Sequence, residues 1–412
     1  MIQMESTRFL KKFTDLVHYD KIHNSIPFLV ITILVLLSLS NLCLVVIYEE
    51  NNVEKRYRAI QFIVTIICMI KSTLERSLIP ENEMKMIELI EGSLMDDCMR
   101  VRFGETNKWK RICENYETKK EYMDKLFNRM YIILMFVYVS IIGRNVLNEL
   151  LGGKSYETSF KDWPTPVVYW CPPGYDSIIF FLIVEVIQCA VMYVMLIEGF
   201  CQNFATCLAT NRVLTDFETI YILLESLNDD FPESELVNDN FRKNQYIQNG
   251  SQFEKNLRVD LAVLVKSHQT LNSNFKTYSD YSAYGTVALT FVIYYDTVIS
   301  IYTVMKANNI KIMVNFAVAC IFINLIILFC YHHGQKIVNQ NDRFRQSLTE
   351  VAWIDKPKWF RSALCIMMGR ANIDNELKPY GVYILNHESF KNIIKAAFSF
   401  GNIIYSVKSN SV

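Results

Sequence analysis

The sequence holds eleven cysteines in 412 residues and no Cys-x-x-Cys pair. That absence argues against a zinc ribbon or a dense disulfide framework, both of which need closely spaced thiols. HExxH, Walker A, GxSxG and Gly-rich nucleotide motifs are missing too, so no enzyme chemistry, cofactor or metal is expected. No sign of charge predominates: 42 basic and 42 acidic residues cancel, which gives no bias toward nucleic acid. A cleavable leader is not evident. The first apolar block is as long as a full span and lacks a small-residue cleavage site, so the first span itself is expected to act as the targeting signal.

What the sequence does have is blocks of apolar residues, 51% of the chain in all. A bilayer core of ~30 Å takes ~20 apolar residues as a helix. Seven segments meet that need: Ser25–Tyr48, Tyr57–Leu74, Met130–Leu151, Asp176–Ala209, Tyr284–Met305, Ile310–Ile337 and Glu388–Ser409. The second and seventh are the least hydrophobic. The expected fold is therefore all-α, a polytopic membrane protein with seven transmembrane helices. The fourth span would run ~51 Å and the sixth ~42 Å as helices, beyond what the bilayer needs. Neither contains proline, and Asn256–Met305 is also proline-free. Helices are thus expected to project past the membrane on one side and pack together there.

Basic residues set the direction. The N-terminus, Lys71–Arg129, Arg212–Lys276 and Lys336–Lys378 together carry 31 of them, against eight on the other side. The N-terminus is therefore expected in the cytosol and the C-terminus outside. This orientation excludes G-protein-coupled receptors, whose N-terminus is external. The outer segment between spans three and four holds Pro164, Pro166, Pro172 and Pro173 among Trp163, Tyr169 and Trp170. It reads either as a rigid cap or as a lid over an outward-facing cavity. Cys43 and Cys171 are the only cysteines near that face, and a bridge between them is left open.

Arg144, Glu185 and Asp296 lie in the outer halves of spans. Charges there pair with one another or face water, so they form either a structural ion pair or part of a polar cavity lining. Phe62, Tyr138, Ile142, Phe181, Tyr294 and Tyr302 stand at similar depths and are the candidate ligand-binding residues. An apolar pocket with a few polar groups suits a small organic ligand. The adjacent His332 and His333 read as a solvated helix terminus.

The last span carries the most informative pattern. Glu388, Asn392, Lys395, Ser399, Asn402, Ser406 and Ser409 recur at alternating spacings of four and three, which places them on one helical stripe. Phe390, Ile393, Ile394, Ala397, Phe398, Phe400 and Ile404 occupy the remaining face. A polar stripe is costly in hydrocarbon. Either it is buried against its own bundle or it lines a pore, and a pore requires several subunits around an axis. Ile403 and Val407, one step off the stripe, suit a hydrophobic constriction.

With these residues in view the chain resembles the insect odorant receptor family. Trp359, Leu364, Met367, Arg370 and Pro379, followed by Phe390 to Val407, are spaced as in that family. Leu264–Phe275 with His268, and Tyr175 and Gln188, fit it as well. The resemblance implies a subunit of a tetrameric, odorant-gated, non-selective cation channel that assembles with a shared co-receptor. It also implies a volatile organic ligand bound among spans two to six, a cytosolic anchor domain built from helix extensions, and a pore lined by the last span. Ile403 and Val407 then match the gate and Ser406 the polar constriction between them. Lys395 departs from a cation path. The co-receptor has a longer segment between spans four and five, so the chain looks like a ligand-specific subunit in the plasma membrane of sensory neurons. The implied division is residues 1–24 as cytosolic N-terminus and 25–337 as the ligand-sensing domain. Residues 338–387 follow as the anchor segment, and 388–412 as the pore-lining span and tail. A gustatory receptor is the nearest alternative, but its Gln-Phe ending is absent. A secondary transporter would show inverted repeats and broken spans, and neither is seen.

Overall fold

The computed structural model describes residues 4–17, 22–49, 53–151, 167–175, 177–230, 246–306, 310–354 and 356–409. Among them are eleven α-helices and no strand. They are α1 (Glu5–Val17), α2 (Ile22–Tyr48), α3 (Val53–Leu78), α4 (Pro80–Glu91), α5 (Asp97–Phe103) and α6 (Asn107–Leu151). There follow α7 (Ile178–Asp230), α8 (Tyr246–Lys306), α9 (Ile310–Thr349), α10 (Lys358–Ala371) and α11 (His387–Ser409).

Each expected span has a helix of its own. The fourth begins two residues late, at Ile178, because the Ser177 hydroxyl caps it by accepting the Phe180 N–H. The projection past the bilayer is larger than expected. α6, α7 and α8 have 45, 53 and 61 residues, which is ~68, ~80 and ~92 Å of helix. Among the described residues five helices are long and apolar enough to cross a membrane: Leu29–Tyr48, Lys55–Leu78, Ile178–Asp229, Gln252–Lys306 and Phe316–Thr349. The weak second span passes that test. α11 does not, because its polar stripe lowers its hydropathy. The outer end of α6 lies outside the described side chains.

The two ends of the bundle pack differently. In the spans, Leu29, Leu36, Ile133, Phe136, Ile179, Val186, Val318 and Ile321 are exposed, an outward apolar surface that lipid can cover. Below them, the extensions of α6 to α9 pack with α1, α4, α5 and α10 around one large core. Leu10, Met86, Met99, Ile112, Phe217, Leu264, Tyr278 and Phe360 are all buried in it. The cytosolic helices therefore form a compact anchor on which the spans stand.

A buried polar cluster joins the two ends. The Arg76 guanidinium on α3 lies 3.1 Å from Glu83 of α4 and 3.3 Å from Glu198 of α7, with all three side chains almost wholly buried. Tyr281 of α8 donates to Glu83 at 2.6 Å, and Ser72 donates to Glu198 at 2.7 Å. Four helices thus meet at one cation. A second buried pair, Arg212 with Asp216, is joined by Tyr116 of α6, whose hydroxyl donates to Asp216 at 2.7 Å.

Removing one member of a buried ion pair costs ~3–5 kcal/mol, because the other charge is stranded. Arg76→Met strands two carboxylates and is expected to lower the thermal unfolding midpoint in detergent. Adding Glu198→Gln should recover part of the loss.

A pH dependence also follows. His268 lies in the cytosolic part of α8, well below the span, with its ring 4.9 Å from that of Phe344. Burial, and then Arg370, push its pKa down to about 4. An unfolded histidine titrates near ~6.5, so between these values the unfolded chain binds more protons. Stability is therefore lost as pH falls from ~6.5 toward the folded value. Thermal unfolding over that range should show the loss, and His268→Gln should flatten it.

Candidate functional site

α11 begins at a tightly held junction. Asn386 caps it by accepting the Ser389 N–H at 2.8 Å, and Gln335 of α9 accepts the His387 N–H at 3.2 Å. Just upstream, Tyr383 donates to Thr290 of α8 at 3.0 Å and stacks on Tyr331 of α9. Leu385 passes so close to α9 that a Cβ on Gly334 would lie 2.2 Å from its carbonyl oxygen. Only glycine permits that approach.

From there α11 packs on α8 and α9. Ala397 and Gly401 are buried, and Phe390, Ile393, Ile394 and Ile404 are half-buried on the same side. A Cβ on Gly401 would stand 3.0 Å from Ile301 Cγ2, so this is the line of closest contact with α8. Glu388, Asn392, Lys395, Ser399, Asn402 and Ser406 are all exposed. At 3.6 residues per turn the stripe and the packed face point in opposite directions. The stripe is therefore not buried against its own bundle. Phe398, Phe400 and Ile403 are also exposed, so of the expected apolar face Phe398 and Phe400 do not pack. They flank the stripe instead, Phe398 with Tyr405 on one side and Phe400 with Ile403 on the other. The side chain of Val407 lies outside the described residues.

In the outer half the candidate ligand-binding residues fall into several packing neighbourhoods. Phe62 on α3 packs beside Leu42, Val45 and Ile66. Tyr138 on α6 donates to the Cys189 carbonyl of α7 at 3.1 Å and meets Tyr193 edge-on. Phe181 on α7 is buried with Tyr169 and Cys171. Tyr302, buried near the outer end of α8, lies edge-on to Tyr57 of α3, and Tyr294 is half-buried on α8. The side chains of Ile142 and Arg144 lie outside the described residues. Gln61 of α3 hydrogen-bonds to Asp296. Asp296 Oδ1 and Glu185 Oε2 are buried with no hydrogen-bond partner among the described residues, which leaves polar groups at this depth for a ligand or water to meet.

The described part of the outer segment, 167–175, is anchored into the bundle. Asn41 of α2 donates to the Trp170 carbonyl at 3.0 Å and accepts its N–H at 3.1 Å. Buried Gln188 of α7 accepts the Val167 N–H at 3.1 Å. Trp170 stacks on Tyr48. Asn41 was not singled out in the sequence; its only signal there is a lone amide in an apolar span. Cys43 is exposed on α2, whereas Cys171 is buried, and both are free thiols, so the bridge left open between them is not formed. The histidine pair also reads differently. His332 is exposed, but His333 is buried, 2.9 Å from the Phe329 carbonyl and 3.2 Å from Cys207 Sγ. The helix continues to Thr349, so neither is a terminus.

The sequence model of the 7tm odorant receptor family matches residues 96–398. Two solved structures of the insect olfactory receptor OR5 from Machilis hrabei share the fold. The complex with eugenol is 12% identical, with 97% of this chain and 98% of that chain covered and a TM-score of 0.70. The other is 11% identical with the same coverage and a TM-score of 0.68. No curated protein matches in sequence. The fold is the seven-transmembrane one, with α6 and α11 completing the five clearly apolar spans.

Asn41→Leu keeps the volume but strands the N–H and C=O of Trp170. Each unsatisfied buried group costs ~1–3 kcal/mol. Limited proteolysis from the outer face should cut the 167–175 segment faster in this variant, with the anchor core unaffected.

Proposed function

The chain belongs to the insect odorant receptor family, whose members are ligand-gated cation channels, and on that premise we propose that it is the ligand-specific subunit of an odorant-gated, non-selective cation channel. The observation that carries this reading is the direction of α11. Its polar stripe faces away from its own chain, and a single helix cannot enclose a path for ions. Several copies around an axis, each turning Asn402, Ser399 and Ser406 inward, would line one. Ile403, together with Val407, then forms the hydrophobic gate around Ser406. Exposed Phe398, Phe400 and Tyr405 on either flank suit contact with neighbouring subunits.

The partner in this reading is the odorant receptor co-receptor, in a hetero-oligomer that is most simply a tetramer. The short link between α7 and α8, 231–245, suits the ligand-specific kind. The cytosolic core, including 338–387, serves as the anchor that holds subunits together. The ligand is a small volatile organic taken up in the outer half, near Tyr138, Tyr294 and Tyr302. That OR5 was solved with eugenol supports a small organic molecule as the ligand class. The site of action is the plasma membrane of sensory neurons, where permeant cations enter on opening.

The test is whole-cell recording during application of an odorant panel, with and without the co-receptor. An odorant-evoked current that needs both subunits is expected; substrate uptake without current would sink the reading. In cells responding to odorant, Ile403→Ala and Val407→Ala should raise the unliganded current. An unchanged basal current in well-expressed variants would count against the gate.

A further inference from the structure

His332 and His387 come from different elements and meet at the cytosolic foot of α11. His332 stands exposed on α9, while its neighbour His333 is committed inward. His387 is the first residue of α11 and is also exposed. His332 Nδ1 and His387 Nε2 are 3.3 Å apart, with ring centroids separated by 5.5 Å. The approach is held by a second contact between the same two helices. Gln335, one turn along α9 from His332, accepts the His387 N–H at 3.2 Å.

Two imidazole nitrogens this close either share a proton or direct both lone pairs at a common third atom. Zinc binds imidazole nitrogen at ~2.0–2.1 Å in tetrahedral geometry. Those values place two coordinating nitrogens ~3.3–3.4 Å apart. The pair is already at that spacing, and its exposure gives an ion free entry from the cytosol. Imidazole suits zinc, copper and nickel, whereas magnesium and calcium prefer oxygen ligands. Among the described residues, no group of three or more His, Cys, Asp or Glu side chains gathers to hold a metal. An ion here would keep water in its other positions.

We propose that His332 and His387 form a two-imidazole site for Zn²⁺ or a related first-row divalent ion, which bridges α9 to the base of α11. Both rings bind as neutral ligands, with the remaining proton of each on its other nitrogen. The site is independent of the ligand pocket and does not require the channel reading. It ties the helix carrying the polar stripe to the anchor at one point, so binding is felt as added stability of the packed state.

The experiment uses the full chain purified through a tag free of histidine. Thermal unfolding in detergent is followed with ZnCl₂, with ZnCl₂ followed by EDTA, and with MgCl₂. Zn²⁺ should raise the unfolding midpoint, EDTA should reverse the shift, and Mg²⁺ should produce none. His332→Gln and His387→Gln should each lose the Zn²⁺ shift. No shift in the unaltered chain, or an equal shift in both variants, would overturn the proposal. A measurement that needs no variant guards against misfolding. Zn²⁺ should protect His332 and His387 from modification by diethyl pyrocarbonate, read by peptide mass mapping. If both histidines react equally with and without Zn²⁺, the pair is a hydrogen bond and nothing more.

Discussion

The last helix has two faces with opposite needs, and its own chain satisfies only one. Ala397 and Gly401 are packed against the bundle, while Asn392, Lys395, Ser399 and Asn402 on the other side are exposed. Hydrocarbon cannot solvate that polar face, and no other part of the described chain covers it. The molecule is therefore incomplete as a single subunit. The exposed apolar groups on its flanks, Phe398 with Tyr405 and Phe400 with Ile403, lie where neighbours on either side would bury them. In the proposed channel, assembly is in this sense a consequence of helix periodicity: a polar row every three to four residues needs a polar or aqueous surface that the described chain does not supply.

That polar face needs a base, because only the opposite face of the helix is held by packing within its own bundle. The base is the cytosolic core. α8 reaches it as one unbroken helix of 61 residues. Its outer part carries Tyr294 and Tyr302 and, between them, Val298 and Ile301 against Gly401, while Thr290 holds the Tyr383 lead-in to α11. Displacements among the outer aromatics and displacements of the last helix are thus imposed on the same rod. Arg76 fixes the level at which spans become anchor. Its two carboxylate partners come from α4 and α7, so neither helix can slide past α3 without exposing a charge to an apolar surround.

Much of this was legible in the sequence because the bilayer is a strict solvent. The apolar blocks located the spans, and basic residues gave them direction. The spacing from Glu388 to Ser409 revealed the stripe, although which way it points is set by the packing of Ala397 and Gly401 in the fold. Several of the diffuse family residues turn out to be anchor packing. Leu264, His268, Leu364 and Met367 are buried in the cytosolic core, and Trp359 donates to Glu254 at 3.1 Å. The outer half was less legible. Aromatics on different helices carry no sign of their partners: Phe62 packs beside Leu42 and Val45, Tyr138 meets Tyr193, Phe181 lies with Tyr169 and Cys171, and Tyr302 meets Tyr57. What organises that region is Asn41 and Gln188 gripping the backbone of 167–175, and backbone partners leave no periodic trace in a sequence. The buried role of His333 was hidden for a similar reason: its partners, Cys207 and Phe329, are set by packing.

The lysine on the stripe is the feature least suited to passing cations, and its position decides how much it matters. Lys395 precedes Ser406 by eleven residues, ~16 Å along a helix axis. The Debye length at physiological ionic strength is ~8 Å. In a water-filled approach its field has decayed substantially before it reaches the narrow end. Lys391 lies deeper toward the cytosol, one turn after Glu388, whose carboxylate offsets part of the positive charge and of the helix N-terminus. On the proposed channel reading, electrostatic repulsion of cations would then fall at the cytosolic end of α11, away from the constriction. The constriction proposed at Ile403, Ser406 and Val407 carries no formal charge. Selection there would rest on dehydration and width, which discriminate weakly among small cations and suit the proposed non-selective path.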